Sequence, residues 1–312
     1  MSETEATQTA VAPADSEHQE TSYGVIQESA PEGLAVEPIE PKTALTDQFT
    51  PKEWDALKAF RVEIPDALAS AYPDKNNAKT AAVKLWGVTI EPSNLLDTKV
   101  SVVLMKFLRA RYRKNLSVSE GKTMFIVTLR WRDQFNVEAA CKEEFPQDVF
   151  GQLGHIYGQD KAGRPVVYNV YGGNQDLKAI FGDIQRFLRW RVAFMEKSIE
   201  LLDFETTDQM IQVHDYAGVS MTSRDTNSKN AASEASSIFS SHYPELLHKK
   251  YFVNVPSYMT WIFWLFKPLM PSATLAKMSV VGSGASTIGK ALLAEVNAKQ
   301  LPTRYGGEAE AF

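Results

Sequence analysis

Between residues 165 and 298 the sequence alternates short apolar runs with longer stretches of helical periodicity, and this alternation limits the fold more than any other feature. The runs PVVYNVYG (165–172), QMIQVHDYAG (209–218), KKYFVNVP (249–256) and AKMSVVG (276–282) have the length and the β-branched or aromatic content of strands. Helical spacing fills the gaps at 180–202, 232–247 and 258–270, and again at 289–298 after the last strand. Strands separated by helices of this length join as βαβ units, which predicts a mostly parallel sheet covered by helices. Upstream the pattern is helical. Thr50 and Pro51 resemble a cap and first-turn pair, VSVVLMKFLRARYR (100–113) is helical, and Ser117 with Glu120 forms a capping-box pattern that opens a helix over 117–135. The expected class is α/β, with an N-terminal helical subdomain over 45–145 and a sheet-bearing domain over 146–312.

A chain of 312 residues with 44% hydrophobic content can bury one large core with a helical appendage. Its first 41 residues hold nine carboxylates and no Lys or Arg, in a setting rich in Thr, Ser, Ala and Pro. Such a segment cannot offset its ordering entropy, so residues 1–44 are expected to be a disordered acidic tail. It also lacks the basic flank and continuous apolar region of a signal peptide. The tail accounts for −9 of charge against a total of −5, leaving +4 on the body. A mildly basic body suits an anionic lipid surface better than nucleic acid, for which no dense Lys/Arg stripe is present. Cys141 is the one cysteine, which excludes an internal disulfide and a multi-cysteine metal site and points to a reducing compartment.

The loop GSGASTIGKA places Gly284, Gly289 and Lys290 in a G-x-x-x-x-G-K pattern, but Ala291 stands where a Mg²⁺-binding hydroxyl is required. It reads as a Gly-rich turn that caps a helix. The most apolar window, YMTWIFWLF (258–266), is far shorter than the roughly 20 residues of a membrane span. By itself it fits a core helix, or an amphipathic helix that closes a pocket or touches a bilayer. His18, His155, His242 and His248 show no metal-site spacing, and His155 is expected in a turn. No Ser occupies a nucleophile motif and no acid/base carboxylate pair is recognisable, so catalysis is not indicated. In IQVHDYAGVS, His214 and Tyr216 are two residues apart on a strand and share a face, where burial is costly unless something binds them.

Three segments, LMKFLRARYRKNLSVSEGKTMFIVTLRWRDQF, HYPELLHKKYFVNVPSYMTWIFWLFKPLM and LPTRYGG, occur in the order found in the CRAL-TRIO lipid-binding family, which includes the fungal phosphatidylinositol transfer proteins. The chain resembles that family from about residue 60 to 307. The resemblance implies a sheet floor and helical walls around an apolar cavity, with a mobile gate helix where 258–266 falls. It further implies a phosphatidylinositol headgroup site made of Glu245 in YPELL with Thr274 and Lys277 in TLAK. A carboxylate suits inositol hydroxyls, and an ammonium with a hydroxyl suits a phosphodiester.

The motifs NVYG, RWRVAFMEK, LLDF, QVHDY and KYFVNVP are similar to a haem-binding, non-classical branch of these transfer proteins. That resemblance implies haem b contacts at Tyr171, Arg191, His214, Tyr216 and Lys250. Tyr216 is assigned as the axial ligand of the iron and His214 as its supporter. A hydrogen-bonded His/Tyr pair in a lipid pocket is the other reading of the two strand residues. The implied function is a cytoplasmic, non-enzymatic carrier of phosphatidylinositol and haem, peripherally associated with the endoplasmic reticulum or other internal membranes. A haem-dependent redox enzyme or sensor on the same fold is the alternative.

Overall fold

The computed structural model describes residues 40–110, 116–172, 176–219, 226–255 and 275–312. The first long helix starts where the cap pair predicts. Thr50 accepts from the Glu53 backbone N–H at 3.3 Å, and the Glu53 carboxylate accepts from the Thr50 N–H at 2.9 Å, closing a capping box at α1 (Pro51–Ala71). Leu57, Phe60, Ile64 and Leu68 recur at helical spacing and are fully buried. They belong to one core with α2 (Thr98–Ala110) and α3 (Val118–Phe135), whose N-cap Ser117 accepts from Glu120 N–H at 3.4 Å. A hairpin that the sequence reading missed, β1 (Val83–Leu85) and β2 (Val88–Ile90), lies between α1 and α2. It turns through Trp86 and Gly87, both at positive φ, and the Trp86 ring stacks on Phe107 with centroids 5.6 Å apart.

After the short helices α4 (Val137–Lys142) and α5 (Gln147–Phe150) comes a five-stranded sheet. Its members are β3 (Gly154–Gln159), β4 (Pro165–Val170), β5 (Met210–Asp215), β6 (Leu247–Val253) and β7 (Met278–Val280), in that spatial order. β4 to β7 run parallel, as expected, and β3 adds an antiparallel edge. That edge strand has two glycines and no apolar run, which hides it from periodicity. His155 lies in β3 and not in a turn, with its ring 4.2 Å from the ring of Phe312.

The helix expected over 180–202 is two helices, α6 (Leu177–Phe181) and α7 (Ile184–Ile199). Asp183 restarts the helix by accepting from Arg186 N–H at 3.0 Å. The helix expected over 232–247 runs instead from Thr226 to His242 as α8, because Pro244 cannot continue it. The last helix, α9 (Ala285–Leu292), begins upstream of the expected 289–298, at Gly284 with φ 88°. The glycine-rich stretch is thus a helix start, as read from the missing hydroxyl.

Strand alternation sorts the sheet into two faces. Val166, Tyr168, Ile211, Val213, Tyr251 and Val253 pack with residues of α9 and the C-terminal segment. The opposite face meets α7, through contacts such as that of Gln212 with Met195. The helical core continues across residue 145, since Val167, Met195, Ile199 and Met210 belong to the same buried cluster as α1 to α3. Lys106 crosses this junction. Its ammonium is fully buried and donates to the Asp208 carboxylate and carbonyl, each at 2.7 Å, and to the Glu245 carbonyl at 3.0 Å. Most of the expected acidic tail, the apolar window 258–266 with its flanking prolines, and Thr274 lie outside the described residues. Among the described residues no helix is long and apolar enough to cross a membrane.

Candidate functional site

Register brings the sheet residues of the predicted haem set onto one block. Across β4, β5 and β6, Val167 pairs with Gln212 and Gln212 with Lys250; one step on, Asn169 pairs with His214 and His214 with Phe252. Beyond the strand ends, Tyr171 N–H donates to the Asp215 carbonyl at 2.8 Å and Tyr216 N–H to the Val253 carbonyl at 3.1 Å, which aligns the two tyrosines as the next row. Their rings lie 5.5 Å apart, and the Tyr171 ring lies 5.6 Å from His214. The Phe252 ring is 5.5 Å from His214 and 6.5 Å from Tyr216. His214 and Tyr216 therefore do share a face, as the strand period requires.

Asp215 points the other way and holds the sheet end in place. Its carboxylate accepts from the Tyr305 hydroxyl at 2.9 Å, Arg304 Nη2 at 3.2 Å and Asn254 Nδ2 at 2.8 Å. Arg191 comes from α7 and is buried beside aromatic rings, with its guanidinium carbon 4.9 Å from the Phe239 centroid and 5.8 Å from that of Trp190. Among the described residues no carboxylate pairs with Arg191 or Lys250, and Nε2 of His214 is buried without a hydrogen-bond partner.

These groups perturb one another. Burial holds the His214 imidazole well below its usual range, and the charges of Lys250 and Arg191 push it further, so it is neutral at pH 7. Burial, then repulsion from Arg191, lowers the Lys250 ammonium to about 8. Burial raises the phenols of Tyr171 and Tyr216 above 10, and Arg191 opposes this in each case. Without a ligand the cation does not offset burial, and Tyr216 keeps its proton. The set offers a phenol, a neutral imidazole and two cations that no described carboxylate pairs, beside polar atoms without a partner among the described residues, which fits a ferric porphyrin with two carboxylates.

The predicted headgroup residues Glu245 and Lys277 lie just before the starts of β6 and β7. Lys277 Nζ donates to a Glu245 carboxylate oxygen at 2.8 Å, with both side chains about a third exposed. Glu245 has φ 54°, and its carbonyl is held by Lys106 and, at 3.2 Å, by Gln209 Nε2. In the same YPE motif the Tyr243 hydroxyl donates to Glu196 at 2.7 Å, and Glu196 also receives two bonds from Arg132, at 2.6 and 3.0 Å.

Sequence reasoning missed Asn169 and Lys106, although each is a polar residue inside an apolar run, which was the available signal. It also missed that Asp160, His248 and Glu295 offer ligand atoms within 4.8 Å of one another. Arg164 already binds Asp160 at 2.6 Å and Lys249 binds Glu295, so this cluster is an ion-pair network joining the β3–β4 turn, β6 and the end of α9.

Comparison with known proteins agrees with this architecture. A family model described as CRAL/TRIO domain matches residues 150–307. A phosphatidylinositol transfer protein sfh5 of Botryotinia fuckeliana is 34% identical over 267 residues, covering 81% of this chain and 57% of the relative. Phosphatidylinositol transfer protein SFH5 of Phaeosphaeria nodorum is 31% identical, covering 90% of this chain and 85% of the relative. Patellin-6 of Arabidopsis thaliana is 31% identical over 86% of this chain and 62% of its own length. The crystal structure of Sfh5 matches with a TM-score of 0.69 at 26% identity, covering 84% of this chain and 89% of that one. The chain spans 57% and 64% of the length of two of the sfh5 relatives.

Proposed function

The chain belongs to the CRAL/TRIO family, and we propose that it is a non-enzymatic, cytoplasmic phosphatidylinositol transfer protein that also binds haem b on the α7-facing side of its sheet. The matched sfh5 proteins are named as phosphatidylinositol transfer proteins, and the Glu245–Lys277 pair supplies groups for the headgroup. Thr274 is assigned to the same headgroup site by the family motif. Lipid exchange requires transient contact with a bilayer, so the protein is a peripheral visitor to internal membranes, the endoplasmic reticulum among them.

The observation that carries the haem assignment is the convergence of Tyr171, Arg191, His214, Tyr216 and Lys250, in which the two cations Arg191 and Lys250 have no carboxylate partner among the described residues. Tyr216 would supply the oxygen that holds the iron, losing its proton to do so, with Arg191 favouring the phenolate. His214 would support it from the same face as a neutral hydrogen-bonding group, and Arg191 and Lys250 would neutralise the porphyrin carboxylates. When bound, the haem supplies a ferric centre that a phenolate oxygen can ligate.

An absorption spectrum of the purified protein tests this directly. A Soret band with a charge-transfer feature of tyrosinate-ligated ferric haem is expected. Tyr216→Phe should remove most of the haem while leaving the fold intact, because only the ligating oxygen is lost. Equal haem occupancy in variant and parent at matched expression would remove Tyr216 from the ligand set.

A further inference from the structure

Besides Gln212, whose amide reaches Met195 and Met210, the α7-facing side of the sheet carries a second buried amide that the haem set does not use. Asn169 is completely buried on β4, and neither its Oδ1 nor its Nδ2 atom has a hydrogen-bond partner. Its neighbour Tyr168 turns to the opposite face, where its ring lies 5.1 Å from that of Tyr305. Asn169 therefore shares the face of Val167 and Tyr171. In register it lies beside His214, whose Nε2 is likewise buried and unpartnered.

Buried amides are ordinarily satisfied, because one left bare forgoes the hydrogen bonds that water gave it. The fold does not need an amide here, since Val167 fills the preceding place on the same face with an apolar side chain. Two adjacent bare groups on neighbouring strands point to a partner that arrives with a ligand. Burial, and after it the charges of Lys250 and Arg191, keeps His214 unprotonated, and the two cations make the surroundings positive. A polar group entering beside them is favoured as an anion. Toward an oxyanion the amide presents its NH₂ end, and neutral His214 can present one N–H.

We propose that Asn169 is a ligand-binding residue, which with His214 forms a pair of neutral donors for a carboxylate oxygen of the amphiphile held on this face. The inference rests on the reading that this face binds a ligand. It adds directional selection for the carboxylate to the charge attraction of Arg191 and Lys250.

The test titrates haemin, and haemin dimethyl ester, which lacks both carboxylates, into full-length protein stripped of ligand. Absorbance reports binding and thermal melts report the ligand-free state. Asn169→Leu keeps the branching and the number of heavy atoms and removes both polar atoms. It should raise the melting temperature of the ligand-free protein, weaken haemin binding by about tenfold as one hydrogen bond to a charged group is lost, and leave the ester unaffected. Asn169→Asp sets a carboxylate against the ligand's own and should weaken haemin binding more. Equal haemin affinity in Asn169→Leu and parent overturns the inference and leaves the haem reading standing. A parent that takes up no haemin overturns both. Tighter haemin binding by Asn169→Asp would mean that no haemin carboxylate meets position 169, which overturns the inference. A lower melting temperature for ligand-free Asn169→Leu would show the amide satisfied by a buried structural water, which also overturns the inference.

Discussion

Lys250→Met isolates the cost of charge on the sheet floor. Lys250 lies in register between Gln212 of β5 and Met278 of β7. Arg191 from α7 and His214 from β5 are its ionisable neighbours on this face, and no described carboxylate pairs with it. Its ammonium is lowered from 10.5 to about 8, first by burial and then by Arg191. That depression corresponds to roughly 3 kcal/mol by which the folded state disfavours the charged form. Below about pH 8 both folded and unfolded states hold the proton, and the whole cost is present. Between the two values the unfolded chain binds more protons than the folded one, so stability rises with pH. Above about 10.5 both states are neutral and the cost is gone. Met keeps the apolar stem without the charge. The ligand-free variant should therefore exceed its parent in stability by up to about 3 kcal/mol at pH 7, with the gap closing as the pH approaches 10. Comparing the two proteins at each pH largely cancels the titration of the buried tyrosines. Urea unfolding across that range measures the gap directly. Haemin should reverse the order at pH 7, since its carboxylates then pair the charge in the parent alone. A gap that does not change with pH, or a variant less stable than its parent at pH 7, refutes the reasoning.

Lys106→Met removes the ammonium that satisfies Asp208 and the Glu245 carbonyl, leaving a largely buried carboxylate alone. Urea unfolding should show a loss of about 3–5 kcal/mol, and Lys106→Met combined with Asp208→Asn should recover part of it. Glu245→Ala with Lys277→Ala should abolish movement of labelled phosphatidylinositol between vesicles while the haem spectrum stays unchanged; transfer that persists would displace the headgroup site from this pair.

The sequence disclosed the parts of the fold that repeat a period. The four parallel strands and the capped α1 follow from alternation and from the Thr50–Glu53 spacing. What it concealed had no period to show. The edge strand β3 is only half-buried along its length, and the β1–β2 hairpin is marked by a lone Gly87 beside a positive-φ Trp86, between strands of three residues each. Helix ends moved for local reasons, such as the new cap at Asp183 and the stop before Pro244. At the site, the shared face of His214 and Tyr216 was legible from their separation of two residues. The neighbours across the strands were not, because register depends on the whole sheet. Asn169 and Lys106 were visible as polar residues in apolar runs, yet only the structure shows that one is satisfied and the other bare.

The proposed headgroup residues and the proposed haem residues have no side chain in common. Glu245 lies just before the start of β6 and Lys277 just before β7, whereas Tyr171 and Tyr216 follow the ends of β4 and β5. In a parallel sheet these are opposite edges, separated by about 20–25 Å at the rise of an extended strand. Lys250 stands between them, and its backbone N–H donates to the Lys277 carbonyl at 2.7 Å. A headgroup at Glu245 and Lys277 and a haem at Tyr216, if both bind as proposed, would therefore not compete for the same polar groups. Any exclusion between the two proposed ligands would then arise from the space that acyl chains and porphyrin would both need. Substitutions at Glu245 and Lys277 should for that reason silence lipid transfer without shifting the haem spectrum, whereas a change in the middle of the floor, at Lys250 or Asn169, should be felt first by the haem.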